Sequence, residues 1–104
     1  MTIDRILEGR PLDEWIALAE FCRWLRVEPA WVIELVDAGV LEPRGPAPDA
    51  WSFPAGDLLR ARRVVRLVDD LGVNVLGAAV ILDLVEERSA LERRLRMLER
   101  LLEE

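Results

Sequence analysis

With 104 residues and a net charge of −6, the chain is expected to form one small acidic domain, residues 1–104, able to bury roughly two thirds of its unfolded surface. Its fourteen basic residues are all arginine, it has no histidine, and Cys22 is its one cysteine; a disulfide framework and a Cys/His zinc site are thereby excluded. Acidity argues against non-specific nucleic-acid binding and favours a basic partner, while the lack of a membrane-length apolar run and of a signal peptide points to a cytoplasmic protein.

Ile3, Ile6 and Leu7 fit either a helical turn or a short strand, which Gly9-Arg10-Pro11 interrupts. Trp15-Ile16-Ala17 reads as a strand leading into the first helix. Glu20 to Leu25 is that helix, with Phe21, Trp24 and Leu25 on its apolar face. Cys22 lies among apolar neighbours and reads as a small core residue rather than a reactive thiol. Glu28-Pro29 starts a second helix, because proline at the first helical position has its φ preset and its missing N–H needs no partner. Gly39 suits the left-handed stop. Val40-Leu41 and Ala50 to Phe53 are expected as two strands flanking a loop with Pro43, Pro46 and Pro48. Residues 19–53 thus predict a helix-turn-helix with a small two-stranded wing. Yet the helix that would enter a major groove carries no base: between Pro29 and Glu42 the charges are Glu34, Asp37 and Glu42. A DNA reader needs positive charge on this element.

A third helix is expected over 55–71, with Asp57 complementing its N-terminal dipole. Leu58, Ala61, Val64, Val65, Val68 and Leu71 form its apolar arc, opposite Arg62, Arg63, Arg66, Asp69 and Asp70. Gly72 ends it. Asn74 is a suitable N-cap for a fourth helix over 74–104. From Val75 to Val85 its one charged residue is Asp83. Such a segment has more apolar surface than a small winged unit can cover, so part of it is expected to meet another chain. Further on, Ile81, Leu84, Leu91, Leu95, Leu98 and Leu102 follow a heptad, with Arg88 at the interrupted position. Two to three heptads are too few for a solitary coiled coil. A homodimer with Leu91, Leu95, Leu98 and Leu102 at its seam is expected. Ser89 to Glu92 also matches a capping box, but without Gly or Pro after Gly77 one continuous helix is favoured.

The catalytic inventory is thin. Asp69-Asp70 and Glu86-Glu87 are adjacent pairs that point to different sides of a helix, and no Gly-rich phosphate loop or metal-ligand spacing occurs. Neither an enzyme nor a cofactor is expected.

From about Ala19 onward the chain resembles the MerR-like proteins, and within them the chaperone-modulator CbpM family. The resemblance is carried by Glu20-Phe21-Cys22, by Ala38-Gly39-Val40-Leu41-Glu42-Pro43 and by Trp51. Its most specific part is Leu71-Gly72-Val73-Asn74, followed by Gly77-Ala78-Ala79 and Leu82-Asp83-Leu84. A related Gly-Val-Asn run also occurs in DNA-binding MerR-like repressors. There an Arg-Arg-Tyr segment occupies the positions on which Trp51, Ser52 and Phe53 fall here. The resemblance implies a mainly α, MerR-like winged helix-turn-helix with a long C-terminal helix. It also implies binding to the J-domain of a DnaJ-like co-chaperone of the CbpA type, and inhibition of its stimulation of Hsp70. J-domains carry a basic second helix, for which an acidic, apolar-surfaced adaptor is complementary. The candidate contacts are Asp69, Asp70, Asp83, Glu86 and Glu87. A MerR-like transcriptional regulator, using Arg60, Arg62, Arg63 and Arg66, and a purely structural dimerisation module are the alternatives.

Overall fold

The computed structural model describes residues 8–103, and the expectation for Ile3, Ile6 and Leu7 lies outside the described residues. The chain runs β1 (Trp15–Ala17), α1 (Leu18–Leu25), α2 (Pro29–Asp37), a 3₁₀ turn (Pro48–Ala50), β2 (Ser52–Pro54), α3 (Asp57–Leu71) and α4 (Val75–Glu103). The fold is mainly helical with one two-stranded antiparallel sheet.

Local chemistry sets the helix boundaries. Pro29 opens α2, and Gly39 follows its end at φ +78°. Val68 O accepts the Gly72 N–H as α3 stops, with Gly72 left-handed at φ +67°. Asn74 Oδ1 accepts the Gly77 N–H at 2.7 Å, satisfying one of the free donors of the first turn of α4. Beyond it α4 is unbroken to Glu103, through Arg88 and the Ser89 capping box.

The sheet differs from the expected wing. Its strands are β1 and β2, paired in the register Trp15↔Pro54, Ile16↔Phe53 and Ala17↔Ser52. Val40 and Leu41 form no strand. Both are buried, whereas consecutive strand residues point to opposite faces. The Val40 N–H instead bonds Leu35 O at 2.9 Å, closing the end of α2. Of the expected pairing only a single bridge remains, Arg44↔Ser52, and Ala50 belongs to the 3₁₀ turn. Gly45 makes this tight return possible: at φ +112°, a Cβ there would run into the Ala50 backbone carbonyl. Gly45→Ala is expected to cost about 2–3 kcal/mol, through a backbone region closed to alanine plus the clash. A thermal melt unchanged from wild type would show that the loop absorbs the methyl without strain.

One core joins the sheet and the four helices. Ile16 and Phe53, opposite each other in the sheet, belong to the same buried cluster as Phe21 and Leu25 of α1, Leu35 of α2, Leu58 and Val64 of α3, and Ala78 and Leu82 of α4. The Phe21 and Phe53 rings lie 4.6 Å apart at 31°, and Trp51 meets Phe53 edge-on at 6.2 Å. Phe53 therefore serves the core rather than an exposed wing. Cys22 is a buried core residue, and burial with the Glu28 charge raises its thiol pKa. On α3 the packed face is Leu58, Ala61 and Val64, with Leu67 and Val68 half-buried; Leu71, expected on that arc, is exposed.

Candidate functional site

α4 is too apolar for its body to cover. Val75, Ala78, Ala79 and Leu82 pack inward, while Leu76, Val80 and Leu84, recurring every four residues, stand 63%, 52% and 59% exposed on the far side. Glu87 and Arg88 interrupt this stripe. It resumes as Leu91, Leu95, Leu98 and Leu102, all exposed. From Leu91 to Glu103 every residue is exposed, so this stretch, on the order of 20 Å long, projects beyond the body. None of its side chains is even half-buried against the described residues, and a helix this short is marginal alone.

The expected acidic contacts do not form one free patch. Arg60 Nη2 donates to Asp83 Oδ1 at 3.2 Å and lies 3.1 Å from Glu86 Oε1. One arginine thus ties α3 to α4 and holds two of the five candidate carboxylates. Asp69, Asp70 and Glu87 remain exposed. The groove beside Asp70, of about 230 Å³, has Leu67, Leu82 and Val85 for its apolar lining but Arg63 and Arg66 on its rim. Its charge is the wrong sign for a basic partner.

A second groove, of about 240 Å³, is lined by Glu34, Asp37 and Ala38 at the end of α2 and by Val75 and Leu76 at the start of α4. Its apolar floor meets an acidic wall, with no base in the lining among the described residues. Sequence reasoning missed this place, although the acid-only second helix was its visible signal.

The helix-turn-helix face is poorly equipped for phosphate. Between Val27 and Leu59 the one base is Arg44, whose guanidinium stacks 3.7 Å over the Trp15 ring. Arg60 is occupied by Asp83 and Glu86. Among the described residues no group of three or more Cys, Asp or Glu side chains is placed to hold a metal ion, and no helix is long and apolar enough to cross a membrane.

A compact helix-turn-helix, a small sheet and a protruding terminal helix define the class, and comparison with known proteins agrees. The model of the MerR HTH family of regulatory proteins matches residues 16–100; the chain belongs to this family. Within it, the chain is similar to proteins named chaperone modulatory protein CbpM. The relative from Coxiella burnetii (strain Dugway 5J108-111) is 41% identical over 69 residues, which cover 66% of this chain and 65% of the relative. Those from Pseudomonas entomophila (strain L48) and Pseudomonas putida (strain W619) are 36% and 33% identical over 66 residues, covering 64% of this chain and 65% of each relative. The matched stretch thus spans just under two thirds of these relatives' length.

Proposed function

We propose that this chain is a chaperone modulator that binds the J-domain of a DnaJ-like co-chaperone of the CbpA type and lowers its stimulation of Hsp70 ATPase. The similarity to relatives named chaperone modulatory protein CbpM, up to 41% identical, carries this reading. An acidic chain of net charge −6 with exposed apolar side chains along α4 supports it physically. Exposed Asp69, Asp70 and Glu87 steer a basic partner towards the chain, and apolar contacts hold it. The chain acts as a homodimer whose seam is Leu91, Leu95, Leu98 and Leu102.

In a steady-state Hsp70 ATPase assay stimulated by the co-chaperone, added chain is expected to reduce turnover in proportion to the complex formed. Association slows as salt rises past about 0.15 M, where screening acts within roughly 8 Å, while dissociation stays nearly constant. Undiminished ATPase stimulation at saturating chain would exclude the proposed inhibition.

A DNA-binding reading keeps the family's description as its support. α2 lacks the side chains that pair bidentately with base edges, having neither Arg nor Lys and no Asn or Gln. A gel shift at physiological salt is expected to show no saturable, sequence-dependent duplex binding below micromolar concentration. Such binding, if found, would make the chain a regulator of transcription.

A further inference from the structure

We propose that the groove between the end of α2 and the start of α4, lined by Glu34, Asp37, Ala38, Val75 and Leu76, receives a basic amphipathic helix of the partner. This deepens the function proposed above and rests on it, the helix being supplied by the J-domain. Three observations converge here. The floor is apolar and open, with Leu76 63% exposed. Beyond the groove Val80 and Leu84 follow Leu76 at four-residue intervals along α4, exposed apolar side chains on which an incoming helix can extend its contact. The wall is acidic without compensation: Glu34 and Asp37 are exposed, and α2 has no base to neutralise them.

Charge decides the occupant. Nucleic acid is repelled by the two carboxylates. A second copy is disfavoured, because a two-fold contact presents the same patch to itself and would set acid against acid. The C-terminal stripe is different: Glu92, Arg94, Arg96 and Glu99 supply both signs beside its leucines, which suits self-association. Glu87 and Arg88 separate the two surfaces on one helix. A basic helix that places apolar residues on Leu76, Val80 and Leu84, with cations opposite Glu34 and Asp37, satisfies both walls.

The groove also displaces part of the acidic set read from the sequence. Asp83 and Glu86 are already held by Arg60, so a partner recruiting them must first compete with an ion pair. Among the described residues Glu34 and Asp37 meet no such competitor in the groove lining.

The test titrates the full-length chain with two probes: the isolated J-domain and a Leu/Lys amphipathic helical peptide. Light scattering is run on each variant. Glu34→Arg with Asp37→Arg, and separately Leu76→Glu, are expected to weaken J-domain binding roughly tenfold or more. Asp69→Arg with Asp70→Arg is expected to weaken it by a smaller factor than the groove variants, by slowing association as steering charges outside the groove do. All five positions are exposed, so circular dichroism should report an unchanged fold. Wild-type affinity in both groove variants would overturn the groove while leaving J-domain binding intact. A changed oligomeric mass with unchanged J-domain affinity in Leu76→Glu would make this a self-association surface and overturn it equally. Peptide binding that depends on Glu34 and Asp37, with no J-domain binding by wild type, would uphold the groove and remove the J-domain as its source. Binding of neither probe would remove both.

Discussion

Phe53→Ala is expected to destabilise the domain by about 3–5 kcal/mol. Phe53 is fully buried, and its ring joins β2 to α1 through Phe21 at 4.6 Å and to the 3₁₀ turn through Trp51 at 6.2 Å. It also faces Ile16 across the sheet. Truncation removes the transfer energy of a whole ring and leaves a cavity that three elements cannot close without breaking β1–β2 pairing. Against a total stability of about 5–15 kcal/mol for a domain of this kind, the loss is severe. At about 4–8 °C per kcal/mol for a domain of similar size, the midpoint should fall by well over 10 °C. Phe53→Leu, which keeps most of the volume, should cost about 1–2 kcal/mol. Equal melts for Phe53→Ala and Phe53→Leu would show that the ring does not hold the sheet to the core.

The second large effect concerns the oligomer. Leu95→Glu is expected to convert a dimer to a monomer at tens of micromolar, about the range in which the contact should otherwise persist. Leu95 lies midway along the projecting stripe and is exposed in the single chain, so the substitution cannot harm the core. In a dimer the introduced carboxylate would be buried among leucines without a counter-charge, at a penalty of several kcal/mol. Light scattering on wild type and variant reads the change directly. A monomeric wild type would leave the leucine stripe without its proposed partner, and a dimeric Leu95→Glu would place the seam elsewhere.

Features that depend on a few neighbouring residues were legible in the sequence. Pro29 and Gly39 bracketed α2, Gly72 and Asn74 marked the α3–α4 junction, and the apolar excess of α4 foretold its exposed face. Pairings across long separations were not. The apolar pair Val40-Leu41 resembles a strand start, and only the fold shows that both side chains turn inward. The true partner of β2 is β1, far earlier in the chain.

The same limit applies to the site. Counting acids brought together Asp69, Asp70, Asp83, Glu86 and Glu87, but packing α3 on α4 assigns Asp83 and Glu86 to Arg60. Glu34 and Asp37 read only as the loss of a DNA-binding face, because Leu76, the floor they border, is remote in sequence. The family motif around Leu71 to Leu84 survives as structure: Gly72 is left-handed, Asn74 caps, and Ala78, Ala79 and Leu82 pack inward.

Titration calorimetry of the full-length chain with the isolated J-domain of a DnaJ-like co-chaperone tests the central claim most directly. The account predicts a saturable heat with micromolar or tighter affinity, weakening as salt rises. No detectable heat and no mobility change at about 50 μM of each component, where a micromolar complex would be nearly saturated, would contradict it.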